Sequence, residues 1–389
     1  MASVEKRTRD GKVTWQARWR DPDSRQRKRS FPRKTDAERF MATVRADVLR
    51  GDYLDPAAGQ VTVQDYSGRW LAAQTFDPST REQVALRLRL HALPQLGALR
   101  LGNVRPSTVQ AWLRSLDRLA PSYVRTIYQH VSAIFSAAVD DGLVRTNPCR
   151  AASVRTPRVV ARQVVPWTAE RVLAVRGALP TRYAVLVTLG AGLGLRQGEA
   201  FGLSPADVDW LRGVVRVRRQ VRIVGARLSY GPPKSGKVRE VPMPASVRDH
   251  LAAHLAAYPA RTVALPWREP SGEPVTVDLV VTSREGKALN RNYVNCLWKQ
   301  ALVAAGVQPS RDNGSHALRH FYASTLLDAG ESVKAVSTYL GHADPGFTLR
   351  TYTHLMPTSE ERSRRAVDAV LDESSRAPVV PREGADSAS

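Results

Sequence analysis

Cysteine is nearly absent: Cys149 and Cys296 are the two in a chain of 389 residues. That scarcity excludes a disulfide framework and a cysteine-based zinc site, and it fits a reducing compartment. Long apolar runs are missing too. No stretch approaches the ~18 apolar residues of a membrane span. The N-terminal stretch MASVEKRTRDGKVTW lacks the apolar centre of a secretory signal. Carboxylates are in short supply. Asp and Glu number 36 against 58 Lys and Arg, which leaves a formal net charge of +22 and a pI of about 10.7. On a chain that is 43% hydrophobic and 24% charged, and so globular, this excess points to a polyanionic partner, most simply nucleic acid. A membrane-surface role would need a basic amphipathic anchor, and none is present. Gly190, Gly192 and Gly194 do not complete GxGxxG, because Leu195 and Gln197 stand where the last glycine belongs. A dinucleotide site is excluded with them.

What is present reads as several domains, since the chain exceeds one ordinary domain in length. In residues 1–58, Val13, Trp15, Ala17 and Trp19 alternate with Thr14, Gln16 and Arg18, which is strand period. Asp21-Pro22-Asp23-Ser24 is a turn, and Gln26 to Phe31 a returning strand. Thr35, with Glu38 three residues on, predicts a capped helix. Basic residues interleaved with Trp suit a sheet laid on DNA, with Trp15, Arg18, Arg27 and Lys28 as candidate contacts. An ordinary basic sheet face is the competing reading. GDYLDPAAG, residues 51–59, reads as a linker. Residues 59–150 read as helical throughout. Val63, Tyr66, Trp70 and Leu71 share a face; Leu86, Leu90 and Leu93 continue it up to Pro94; further helices begin at Ser107 and Ser122. Arginines stud these helices, Arg125 among them, and suit backbone contacts to DNA. Residues 151–166 form a basic extended linker.

Residues 167–370 mix helices with a small antiparallel sheet. Thr168 caps one helix; Tyr183 to Leu189 form another, which the glycines break. Val214 to Val224 and Val238 to Met243 flank a turn at Gly231 to Lys237, and helices resume near Ser246 and Asn292. Residues 371–389 carry no apolar pattern and read as a disordered tail.

The chemistry concentrates between Ser315 and Leu355. His316, Arg319 and His320 fall within five residues. One helical pattern runs on through Leu326, Leu327, Val333, Val336 and Leu340 to Gly341 and His342. Asp344-Pro345 is a helix start, which puts Tyr352 about two turns into a short helix. Arg196, Glu199 and either Lys234 or Lys237 join this set. A phosphodiester under attack gathers charge on its non-bridging oxygens, and two arginines hold such oxygens with paired, oriented bonds. A phenol, with its pKa near ~10, needs a base or a cationic pocket to become a nucleophile. A lysine in a turn can supply the leaving oxygen's proton, and histidines can shuttle protons or bond the phosphate. Each residue alone has an ordinary reading: Arg196 paired to Glu199, His316 and His320 as polar helix residues, Tyr352 as a half-buried aromatic, the lysines as solvated. The set as a whole resists it.

The chain resembles the tyrosine recombinase, or phage integrase, family. The resemblance rests on GLGLRQGE (192–199), PKSGKVREVP (233–242), HALRH (316–320) and LGH (340–342) followed by Tyr352, in order and spacing over 167–360. It implies a multidomain chain: residues 1–58 as an arm-type DNA-binding domain of sheet plus helix, and 59–150 as an all-α, SAM-like core-binding domain. Residues 167–370 would be a mainly α catalytic domain with a small antiparallel sheet, an α+β fold. By the same resemblance Arg196 and Arg319 hold the phosphate, Lys234 is the general acid ahead of Lys237, and His316 and His342 handle protons and bond the phosphate. Glu199 orients the site, with His320 and Lys237 in support. Tyr352 is the nucleophile, forming a 3′-phosphotyrosyl link that keeps the bond energy. No metal or other cofactor is expected. The implied partners are double-stranded DNA attachment sites and three further copies of the chain in a homo-tetramer, with an excision directionality factor and a DNA-bending host protein to look for. The implied location is the nucleoid of a bacterial cytoplasm. Two readings compete: a DNA-binding regulator on a degenerate catalytic fold, and a two-metal nuclease or transposase, whose convergent carboxylates the key stretches lack.

Overall fold

The structure, a computed structural model, describes residues 3–9, 12–21, 26–50, 58–160, 163–234 and 236–352, with isolated positions from 364 to 371. The end of the first turn, residues 22–25, most of the 51–59 linker, Ser235 and the tail beyond 371 lie outside the described residues. The chain divides into two compact units, Met1–Ala161 and Arg162–Ser389.

The first unit opens with an antiparallel sheet of β1 (Ser3–Arg9), β2 (Lys12–Arg20) and β3 (Gln26–Phe31), in that order. β1 escaped the sequence reading because Val4 is its one apolar residue, so no hydrophobic period marks it. Helix α1 (Lys34–Arg50) covers one face, packing Ala37, Met41 and Val44 on Ala17 and Trp19. The helix starts at Lys34, so Thr35 lies inside its first turn rather than capping it. Glu38 reaches back to Lys34 at 3.4 Å, an i,i+4 pair that takes the place of the expected capping box.

A helical bundle with its own core follows: α2 (Val63–Ala73), α3 (Pro78–Arg87), α4 (Leu93–Leu96), α5 (Pro106–Arg114) and α6 (Pro121–Asp140). Thr62 and Asp77 cap α2 and α3 by accepting from the backbone N–H groups of Asp65 and Ser79. Between α3 and α4 the turns widen to a π-helix, Leu88–Ala92. Pro94 explains it: its ring would clash with the carbonyl of Leu90 and it donates no hydrogen bond. The widening rotates the apolar face. Val84, Leu88, Ala92 and Leu96 are buried, while Leu90, expected inside, is 53% exposed. Asn147 closes the bundle, its Nδ2 donating to Ser132 O and Ser136 Oγ and its Oδ1 accepting from Cys149 N.

The second unit begins with α7 (Ala169–Ala178), capped by Thr168 as expected, α8 (Thr181–Leu193) and α9 (Gln197–Phe201). The glycines do not break α8 where expected. Gly190 and Gly192 lie inside it, and Gly194 alone ends it, at φ +62°. Gly190 is there for contact: a Cβ on it would stand 2.8 Å from Leu318 Cδ1. One sheet was expected; three small ones form among the described residues. β4 (Val208–Asp209) and β5 (Val214–Val217) precede the hairpin of β6 (Gln220–Val224) and β7 (Arg227–Gly231). β8 (Arg239–Pro242) returns to pair with β5. After α10 (Ala245–Ala257) comes a second hairpin, β9 (Arg261–Pro266) and β10 (Pro274–Leu279), absent from the sequence reading because prolines at Pro266 and Pro274 make both segments look like loop. Then follow α11 (Arg291–Ala304), α12 (His316–Asp328), α13 (Val333–Leu340) and α14 (Pro345–Tyr352). The pattern from His316 to Leu340, read as continuous, is two helices parted at Gly330, which sits at φ +91°.

Candidate active site

Four segments of the second unit meet around one buried carboxylate. Glu199, in the first turn of α9, is 1% exposed. It accepts from the Arg196 backbone N–H at 2.9 Å and from the Arg196 guanidinium at 3.0 Å. Arg239 on β8 gives it two more bonds, at 3.0 and 2.6 Å, and donates through Nε to Tyr339 O at 2.7 Å. Burial alone would raise the Glu199 carboxyl; the bonds and charge of Arg239, then of Arg196, hold it below the usual range. Glu199 thus fixes Arg196 just past the Gly194 turn, and Arg239 ties β8 to the end of α13.

Arg319 is 1% exposed on α12. Its guanidinium donates to Gly194 O at 2.7 Å and to Leu340 O, so one side chain links the segments that carry Arg196 and His342. Burial, and then the charge of Arg196, pushes it down to about 9, still a cation at neutral pH. His316, one turn before it, falls to about 4 through burial, and next through the charges of His320, Arg319, Arg196 and Lys234. His342 falls to about 3 through burial, then Arg319, Arg196 and His316. Both imidazoles are therefore neutral at pH 7, in a pocket whose fixed charge is positive.

His342 follows Gly341, which takes the left-handed conformation (φ +62°) that ends α13. Ser337 Oγ donates to Thr348 Oγ1 at 2.6 Å, and Thr348 Oγ1 lies 2.6 Å from His342 Nδ1. With its oxygen accepting from Ser337, Thr348 has its own proton free to give to Nδ1, and in that tautomer the proton of neutral His342 sits on Nε2. Asp344 starts α14 as expected, Oδ1 accepting from Gly346 N at 2.8 Å. Tyr352 is the last described residue of that helix, 1% exposed, its hydroxyl 2.6 Å from His320 Nδ1. Burial pushes the phenol up to about 12, with Arg319 pulling the other way.

The structure therefore brings together Arg196, Glu199, His316, Arg319, His320, His342 and Tyr352. Lys234 is exposed in the β7–β8 turn, close enough for its charge to act on His316. Lys237 is exposed in the same turn. Sequence reasoning missed Arg239, Ser337 and Thr348. Arg239 did leave a signal, since it shares strand parity with buried Val241 and so points inward. Ser337 and Thr348 left none. The DNA-contact candidates are in the first unit. Arg18 pairs across β2–β3 with Lys28 on the face away from α1, and Arg18 Nε donates to Gln16 at 3.0 Å. Trp15 is half-buried on the α1 side, with Lys34 Nζ 5.7 Å from its ring centroid. Arg27 shares that side, opposite Trp19, and donates to Asp21 at 2.9 Å. Arg125 is exposed on α6.

A cationic pocket with neutral imidazoles around a buried phenol suits an enzyme that acts on a phosphodiester through a side-chain oxygen. Comparison with known proteins agrees. The Phage integrase family matches residues 168–358, and the Phage integrase central domain matches residues 63–154. The integrase of Mycobacterium phage D29 is 26% identical over 346 residues, covering 87% of this chain and 88% of the relative. The tyrosine recombinase XerC of Rhodospirillum centenum is 30% identical over 295 residues, covering 72% of this chain and 76% of the relative. A lambda integrase tetramer, solved bound to a Holliday junction, superposes with a TM-score of 0.58 at 16% identity, covering 89% of this chain and 94% of that one. The chain belongs to the phage integrase family of tyrosine recombinases. It is a site-specific DNA recombinase of the kind that integrates mobile elements.

Proposed function

We propose that Tyr352 attacks the scissile phosphate of a double-stranded attachment site, forming a 3′-phosphotyrosyl ester and releasing a 5′-hydroxyl. Arg196 and Arg319 fork the non-bridging oxygens and stabilise the charge that grows on them. Lys234, at the tip of a turn, protonates the leaving 5′-oxygen. His342 donates to the phosphate from Nε2, and His316 handles protons beside it. Glu199 orients Arg196. The ester keeps the energy of the broken bond, so a 5′-hydroxyl from a partner strand reverses the step without ATP. The observation that carries this reading is the meeting of two arginines, two neutral histidines and one buried phenol from segments far apart in the chain.

Four copies act on two sites, as the tetrameric assembly of the lambda enzyme suggests. Residues 1–58 serve as an arm-type DNA-binding domain, 59–150 as the core-binding domain and 167–370 as the catalytic domain. An excision directionality factor and a DNA-bending host protein complete the reaction on the nucleoid of a bacterial host. No helix among the described residues is long and apolar enough to cross a membrane. The test is a suicide duplex that traps the covalent intermediate. Tyr352→Phe should bind this DNA as tightly as the parent and give no SDS-stable adduct; an adduct that persists would sink the assignment.

A further inference from the structure

One contact in the pocket plays no part in holding the phosphate. The Tyr352 hydroxyl lies 2.6 Å from His320 Nδ1, and that nitrogen is its one hydrogen-bond partner among the described residues. A buried phenol needs an acceptor for its proton. Nδ1 is therefore the accepting atom, and neutral His320 carries its proton on Nε2. The groups that face His320 are His316 and Arg319 from α12 and Tyr352 from α14. His316 meets the ring edge to face at 4.8 Å between centroids, and the Tyr352 ring is at 5.7 Å. Burial first, and Arg319 second, keep His320 below its usual range, so it is unprotonated at neutral pH. The other histidine of the pocket, His342, has its Nδ1 occupied by Thr348.

We infer that His320 is a catalytic residue of strand cleavage: it takes the proton of Tyr352 as the phenolic oxygen attacks phosphorus, and returns it when the ester is reversed. This rests on the reading of Tyr352 as nucleophile. In the forward step the Tyr352 O–H bond breaks and an N–H bond forms at His320 Nδ1. A bond from the tyrosine oxygen to phosphorus forms while the P–O5′ bond breaks, and O5′ leaves with a proton from Lys234. One imidazolium and one neutral amine result, and reversal restores both. The incoming phosphate adds negative charge to a pocket whose net charge is positive, which favours the imidazolium at the moment it forms.

The experiment measures single-turnover adduct formation on a nicked suicide duplex, cut from the crossover sequence of the element that encodes the chain. The scissile 5′ bridging atom is either oxygen or sulfur. Sulfur leaves without a proton, so it relieves a missing acid and not a missing base. Lys234→Ala should regain adduct on the sulfur substrate. His320→Asn keeps an acceptor near the phenol but takes up no proton. It should stay slow by about a hundredfold or more on both substrates, the usual scale for a lost proton acceptor. Parent-like melting temperature and DNA affinity separate lost chemistry from lost fold. Should His320→Asn melt early, added imidazole decides the matter with His320→Ala: restored adduct sustains the inference, and none overturns it. Parent-rate cleavage by His320→Asn, or its recovery on sulfur, also overturns it. An adduct from Tyr352→Phe is a different failure, that of the nucleophile assignment itself.

Discussion

In the proposed reaction Arg319 does two jobs with one guanidinium. It donates to two carbonyls of the protein and still has N–H groups to offer a phosphate. Lysine keeps the charge but not the planar fork. Arg196→Lys and Arg319→Lys should each lose ~3 kcal/mol of transition-state stabilisation, roughly a hundredfold or more in cleavage rate. Arg319→Lys should also lower the melting temperature, because the Gly194 and Leu340 carbonyls lose their partner. Full cleavage rates in both variants would refute the clamp. The histidines predict a pH effect. His316 and His342 are depressed in the fold, to about 4 and about 3, against ~6.5 in the unfolded chain. Between those values the unfolded state binds more protons, so their stabilisation is complete above the unfolded value and is lost as pH falls through the window. At pH 5, unfolding should take up about one proton for each, and His316→Gln or His342→Gln should each remove about one from the uptake measured by calorimetry in buffers of different ionisation enthalpy.

The close crossing of α8 and α12 carries the site. Gly190→Ala would set a methyl group 2.8 Å from Leu318 Cδ1, next to Arg319 in sequence. It should cost ~1–3 kcal/mol of stability, as overpacked cores do, and slow cleavage without weakening DNA binding. A parent-like denaturation midpoint in Gly190→Ala would remove this account of the glycine. The same element shows what a sequence discloses. Period made α6 and α12 legible and apolar content α8, and the charged and glycine-bearing stretches marked where the site residues stand. The interruptions were less legible. Pro94 reads as a stop but is absorbed by a π-turn, and Gly190 reads as a break but is a contact. β1 and the β9–β10 hairpin, one charged and one bounded by prolines, imitate loops. Within the site, Arg239 was visible in principle as an inward-pointing basic residue on a strand. Ser337 and Thr348 are ordinary helix hydroxyls whose role exists only once α13 and α14 pack.

For the whole molecule, the net charge of +22 makes DNA affinity depend steeply on salt. Residues 3–50 have their own small core, apart from that of the bundle. A fragment beginning at Gly59 should therefore keep weak binding at the crossover site and lose protection of any distant arm site, since linked modules gain affinity through effective concentration. Footprints of the full chain and the fragment on one attachment-site DNA check this, and identical protection would mean that the basic strands are only a structural face. Tyr352 stands eight residues into the helix that starts at Asp344-Pro345. Those eight residues span about 12 Å, at ~1.5 Å per residue. With Tyr352 as the proposed nucleophile, a strand joined to it is held by α14, and the broken end can travel no further than those two turns and their anchorage allow. Rejoining to the original strand is then the nearby outcome. Joining to a new one requires the incoming 5′ end to be delivered to the tethered phosphate, not the reverse.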